Sequence, residues 1–177
     1  WFRSYKTLKM DEQKVIEVLR STLDPAMRTD AEKRLEQMYK IIGFAPILLK
    51  LLVRPDVELP VRQASGIYFK NLINNYWEVP DDCKDYEHPG VILEPQFMLH
   101  EQDRGQIRDA IVDTLVNTPI VIQTQLAVCV NRIAQRDFPT RWPQIVDKIH
   151  MYLASSQNMN VLHGALLCLN KLIQVFE

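Results

Sequence analysis

The stretch Pro60-Val61-Arg62-Gln63-Ala64-Ser65-Gly66-Ile67-Tyr68-Phe69-Lys70-Asn71-Leu72-Ile73-Asn74-Asn75-Tyr76-Trp77 decides how the rest of the chain is read. It opens on proline, which suits the first turn of an α-helix because the N–H it lacks is one the helix leaves unpaired anyway. Val61, Ala64, Tyr68, Leu72 and Tyr76 then recur at three- and four-residue steps, which stacks them on one face. Arg62, Gly66, Lys70 and Asn74 form a second ridge at steps of four. The reading is a helix with one face for a core and another for a partner.

The same periodicity extends in both directions. Upstream, Asp11-Glu12 opens a helix carrying Val15, Ile16, Val18 and Leu19, and Asp24-Pro25 opens another with Ala31, Leu35, Met38 and Ile42. Gly43 breaks the pattern, and residues 44–53, with Leu48, Leu49, Leu51 and Leu52, read as a strongly buried third helix stopped by Arg54-Pro55. Downstream, residues 101–117 carry Ile107, Ile111 and Leu115, and Thr118-Pro119 starts a helix with Ile122, Leu126, Cys129, Val130 and Ile133 that ends at Phe138-Pro139. Trp142-Pro143 opens a run with Ile145, Val146, Ile149 and Leu153, and residues 159–176 close with Leu162, Ala165, Leu169, Leu172, Ile173 and Phe176.

These eight helices pair into hairpins near residues 11–42, 43–77, 101–136 and 140–177, a period of roughly 30 to 40 residues once the stretch between the second and third pairs is set aside. One hairpin cannot bury its apolar face alone, whereas stacked neighbours build a continuous core. The expected fold is therefore all-α, an α–α superhelix of about four helical hairpins whose second helices line one wall. The last helix shows no polar capping face, so the chain is expected to stop inside a longer array. Residues 1–9, ahead of Met10, read as a leader or non-native extension. Residues 78–100, with three prolines and six carboxylates against Lys84, read as an acidic loop able to compete with an acidic partner or hold a basic segment.

Composition narrows the function classes. The chain has 177 residues, 47% hydrophobic and 24% charged, with a formal net charge of -1, so it lacks the basic excess of a nucleic-acid binder. Five glycines against ten prolines argue against barrels, sandwiches and phosphate-cradling loops. Cys83, Cys129 and Cys168 are odd in number and widely spaced, which fits reduced thiols in an intracellular protein rather than a disulfide framework. No apolar run reaches the ~18 residues of a membrane span.

No chemistry of its own is indicated. His88, His100, His150 and His163 share no metal-ligand spacing with one another or with the cysteines, and no serine or cysteine sits in a nucleophile motif, so no metal, cofactor or enzymatic activity is expected. Ala64-Ser65-Gly66 lies inside a helix and reads as a close helix crossing, while Trp77, Phe138 and Trp142 read as packed corners between repeats. What remains is the wall. Arg62, Lys70 and Asn71 on the second inner helix, Lys33 and Gln37 on the first, and Arg132 and Arg136 on the third would present cations and amides to an acidic partner.

The order of motifs resembles the importin-beta, or karyopherin-beta, nuclear transport receptors. The stretches that carry the resemblance are Asp24-Pro25 with Ala31-Glu32-Lys33-Arg34-Leu35, then Leu59 to Leu72 leading to Tyr76-Trp77, then Asp137-Phe138-Pro139 and Trp142-Pro143. The wording is most similar to the branch containing importins seven and eight. The resemblance implies HEAT repeats whose N-terminal portion binds the GTPase Ran in its GTP form, shuttling between cytoplasm and nucleus through the pore, and cargo held mostly by repeats further along. Nucleoporins are further partners it implies. Two alternatives stand beside an import receptor: an exportin of the same superfamily, and a HEAT scaffold with no GTPase partner.

Overall fold

The computed structural model describes residues 11–78 and 97–177. The proposed leader at residues 1–9 and residues 79–96 of the acidic stretch lie outside the described residues. Eight helices are present among those described: α1 (Glu12–Ser21), α2 (Arg28–Met38), α3 (Phe44–Leu51), α4 (Leu59–Tyr76), α5 (Glu101–Val116), α6 (Ile120–Asp137), α7 (Ile145–Ser155) and α8 (Met159–Ile173).

Local chemistry sets the starts. Asp11 accepts the Gln13 N–H at 3.0 Å ahead of α1, His100 Nδ1 accepts the Gln102 N–H at 3.2 Å ahead of α5, and Asn158 accepts the Asn160 N–H at 2.9 Å ahead of α8. Each satisfies a donor the first turn would otherwise leave unpaired. Gly43 precedes α3 with φ of +93°, a left-handed conformation that glycine adopts without Cβ strain.

The helices form two layers. In one, α3 packs on α5 and α5 on α7; in the other, α4 packs on α6 and α6 on α8. Within hairpins, α1 meets α2, α3 meets α4, α5 meets α6 and α7 meets α8, giving the all-α hairpin solenoid that the periodicity predicts. The core between the layers is continuous, running from Val15 and Leu19 through Leu48, Leu52, Phe69 and Ile73 to Ile107, Ile111, Leu126, Ile133, Ala165 and Cys168.

Three local expectations are revised. Asp24-Pro25 does not begin α2: the Asp24 side chain accepts the Ala26 N–H at 2.9 Å and holds a turn, and the helix starts at Arg28. Trp142-Pro143 likewise precedes α7 by a turn, and Val146, read as apolar-face, is 46% exposed. In α4, Gly66 is buried rather than part of an open ridge, and the deeper apolar positions are Phe69 and Ile73.

Candidate functional site: the wall of second helices

Burial phase defines the open face of each second helix. In α4, Ile67, Asn71 and Asn74 are exposed; in α6, Val121, Thr124, Val128 and Gln135; in α8, Met159, His163, Leu166 and Asn170. Steps of three and four keep each set on one face, opposite the buried stripe. Polar contacts fix the register. The Asn131 side chain donates to Lys171 O at 3.0 Å, and Gln123 Nε2 donates to Asn160 O at 3.0 Å, so α6 and α8 are tied at both ends. Gln123 Oε1 also shares a 2.6 Å hydrogen bond with His163 Nδ1.

The predicted contact residues divide into three groups. Lys33, Gln37 and Asn71 are exposed, the first two on α2 and the third on α4. Lys70 and Arg132 are half-buried and make no ion pair among the described residues. Lys70 lies close enough to the buried Cys129 of α6 to oppose the upward push that burial gives that thiol. Arg62 and Arg136 are turned to structural duty: an Arg62 terminal nitrogen donates to Arg54 O at 3.4 Å, and Arg136 pairs with Glu78 at 3.2 Å. The seven residues therefore do not form one uniform cationic row.

Charge on the wall is mixed on α2, where Asp30, Glu32 and Glu36 are exposed beside Lys33, and one-sided on the other three second helices. Helices α4, α6 and α8 together hold Arg62, Lys70, Arg132, Arg136 and Lys171, and their one carboxylate, Asp137, is 1% exposed. An acidic surface approaching this face meets no fixed negative charge from these three helices. Acidic side chains lie elsewhere, as on α5 with Glu101, Asp103, Asp109 and Asp113.

Periodicity gave no sign of the ionic cluster behind the wall. Asp137 pairs with Arg108 at 2.7 Å and with Arg141 at 2.9 Å. Glu101 pairs with Arg104 at 2.6 Å and also with Arg108, and Arg104 donates to Trp77 O at 3.2 Å. Both guanidinium groups stand about 6 Å from the Trp77 ring centroid, at 6.0 and 5.9 Å, within cation–π range. The Trp142 indole N–H donates to Arg108 O at 3.0 Å from a fully buried ring. Thus Trp77, Asp137 and Trp142, three of the residues that carry the sequence resemblance, tie the end of α4 and the end of α6 onto α5. Burial works against the charge of Glu101, but Arg108 and Arg104 outweigh it and hold its carboxyl below the usual range. The corner role read for Trp77 and Trp142 is what the packing shows.

On the outer layer, Asp113 accepts from Tyr152 Oη at 2.9 Å and pairs with Lys148 at 2.7 Å, joining α5 to α7. Burial and this carboxylate push the Tyr152 hydroxyl up to about 12. Burial pushes the Cys168 thiol up to about 12, and the side chain packs fully buried in the core. No group of three potential metal-ligating side chains occurs among the described residues, and no described helix is long and apolar enough to cross a membrane.

Comparison with known proteins adds to this geometry. The family described as Importin-beta N-terminal domain matches residues 31–117. The chain is 45% identical over 168 residues to importin-8 of Homo sapiens, and the alignment covers 95% of this chain and 16% of that protein. It is 32% identical over 143 residues to exportin-2 of Drosophila melanogaster, covering 81% of this chain and 14% of the relative. Among solved structures, the exportin Cse1 in its cargo-free, cytoplasmic state matches with a TM-score of 0.79 at 23% identity, over 93% of this chain and 16% of that one. At that identity the match speaks to the fold, which is a HEAT-type solenoid.

Proposed function

The chain belongs to the importin-beta family, and from that premise we propose that it is the Ran-binding portion of a nuclear import receptor. In this reading Ran in its GTP form docks on the wall of second helices, and its binding is coupled to cargo release. Lys33, Gln37, Lys70, Asn71 and Arg132 make the contacts, while Arg62 and Arg136 hold the wall in shape. The observation that carries the proposal is the 45% identity to importin-8 across 95% of the chain, joined to a wall whose exposed face carries no carboxylate from α4, α6 or α8. The cations steer an acidic partner and raise its association rate, while a few packed anchors set the affinity. Cargo contacts belong mainly to the rest of the receptor, since the chain spans 16% of the length of importin-8. Shuttling between cytoplasm and nucleus, and any nucleoporin contact, are part of the same proposal.

Calorimetry with Ran loaded with a non-hydrolysable GTP analogue and, separately, with GDP tests this directly. A clear preference for the GTP form is the expected result, and equal or absent binding in both states counts against it. The 32% identity to exportin-2 favours one second reading, a receptor that binds Ran-GTP and cargo together. The two differ in the sign of coupling: in an importin Ran-GTP weakens cargo binding, and in an exportin it strengthens it.

A further inference from the structure

The groove between α4 and α6 repeats one arrangement and leaves it unfinished. At its far end Glu78, just past α4, pairs with Arg136 of α6 at 3.2 Å. Both are second helices of their hairpins and pack side by side, so steps of four residues, about one turn of 5.4 Å, carry this register back along the groove. One turn back, Asn74 stands opposite Arg132. A further turn back, Lys70 comes level with Val128 and Cys129, and its charge acts on the buried Cys129 thiol as that register requires. Helical phase turns the two cations toward each other. Lys70 shares an edge of α4 with the buried Ile73 and Trp77, and Arg132 shares an edge of α6 with the buried Cys129 and with Arg136. Both cations are half-buried, and neither has an ion pair among the described residues. Asn74 is exposed and occupies, in the second rung, the place that Glu78 fills in the first.

We propose that Lys70 and Arg132 form a clamp for one carboxylate side chain of a partner protein, held in the α4–α6 groove beside Asn74. The Arg136–Glu78 pair is the pattern: a guanidinium of α6 meets a carboxylate that reaches across from the α4 side. Packed helices lie about 8–10 Å apart, so the long side chains of Lys70 and Arg132 reach the midline of the groove from opposite flanks. A partly desolvated cation gains more from a carboxylate than an exposed one does, because walls of low dielectric concentrate its field. Carboxylates of the chain itself do not compete. Glu78 is held by Arg136, and Asp137 by Arg108 and Arg141. Glu32 and Glu36 of α2 act on Tyr68, on the opposite flank of α4. The Asn74 amide supplies a further donor to the same carboxylate. The assignment stands on the burial and charge of these two helices rather than on the Ran reading.

The probe is a capped tripeptide of glutamate, titrated into the isotope-labelled 177-residue chain and followed by amide NMR, with the capped glutamine tripeptide as neutral control at matched ionic strength. Saturable shifts of the Lys70, Asn74 and Arg132 amides are expected with the glutamate peptide and none with the glutamine peptide. The response should be lost in Arg132→Met and weakened severalfold in Lys70→Met. It should also be lost in Asn74→Glu, which completes the second rung from within the chain. Asn74 is exposed, and methionine keeps an aliphatic stem in the groove, so these variants should retain the wild-type helical circular dichroism. The glutamine peptide tests the charge rule on unaltered protein. No saturable shift, an equal response to the glutamine peptide, or an undiminished response in folded Arg132→Met or Asn74→Glu each overturns the proposal. Ran plays no part in the readout, so failure here is separate from failure of the GTPase reading.

Discussion

Asp103 on α5 holds both of its carboxylate oxygens against the backbone N–H of Gly43, at 2.9 and 3.0 Å, across sixty residues of sequence. Gly43 is the left-handed residue that opens α3, and its N–H would otherwise face the packed junction of α3 with α5. One side chain therefore joins the start of the second hairpin to the start of the third. Asp103 is 2% exposed, and burial raises its pKa although the Gly43 N–H pulls the other way.

This contact gives a sign as well as a size. Asp103→Ala leaves a buried N–H without its acceptor and should lower stability by about 1–3 kcal/mol. Asp103→Asn keeps one acceptor oxygen and removes the charge. Because the folded state holds the Asp103 proton more tightly than the unfolded state, the native protein binds more protons between the ordinary aspartate pKa, about 3.9, and the raised one. Stability from this group therefore falls as pH rises through that window. Urea unfolding of wild type and Asp103→Asn across the acid range should show the variant gaining relative stability as pH rises, and parallel curves would refute this.

The Arg108 cluster supplies a mutational cost at Asp137 and, at Glu101, a pH dependence opposite to that of Asp103. Asp137 is 1% exposed and Arg108 is 8% exposed, so Asp137→Ala leaves the buried guanidinium with Glu101 as its one remaining ion-pair partner among the described residues and should cost about 1–3 kcal/mol. Glu101, which also meets Arg108, has its carboxyl held below the usual range. Its contribution is present above the ordinary glutamate pKa, about 4.3, and is lost as pH falls through the depressed folded value. A Glu101→Gln variant should therefore lose its difference from wild type at low pH, as read by thermal unfolding.

Why the helices were legible and these contacts were not follows from what periodicity records. Apolar spacing located all eight described helices, because burying one stripe per helix is what stabilises a stacked hairpin. It misplaced the starts of α2 and α7, since Asp24-Pro25 and Trp142-Pro143 make a turn before the helix proper. Buried charges such as Arg104, Arg108 and Asp137 look like surface residues in a sequence, and only pairing across 29 residues, as in Arg108 with Asp137, makes their burial tolerable. Arg62 and Arg136 were read as wall contacts for the same reason, their structural partners being invisible until the chain is folded.

Glycines in the second-helix layer make a contrasting pair. A Cβ at Gly66 would lie 3.6 Å from Leu52 Cδ2, an ordinary contact, so the close crossing read at this position is not imposed by glycine. A Cβ at Gly164 would lie 3.0 Å from both Leu115 Cδ2 and Val116 Cα, and the second is backbone that cannot yield cheaply. Gly66→Ala should thus stabilise by up to about 1 kcal/mol through helix propensity. Gly164→Ala should destabilise by about 1–3 kcal/mol despite the same propensity gain. Denaturant midpoints of the two variants moving in the same direction would contradict this packing.

For the proposed Ran contact, the choice of variant matters because the sequence alone would pair Arg62 with Lys70. Arg62 is half-buried against Arg54 O, so its reversal to glutamate perturbs the α3–α4 junction as well as any interface. Lys33→Glu with Lys70→Glu is the cleaner test, since neither side chain has an ion pair among the described residues. If these cations steer an acidic GTPase surface, the double variant should slow association with Ran-GTP by roughly tenfold at low salt, and the difference should shrink as salt screens it. Dissociation should change less, because residence depends on packed anchors rather than on peripheral charge. Stopped-flow association measured at two ionic strengths separates the cases: a rate loss that salt does not reduce would mean that these lysines act as buried contacts, and no rate loss would move the GTPase off this wall.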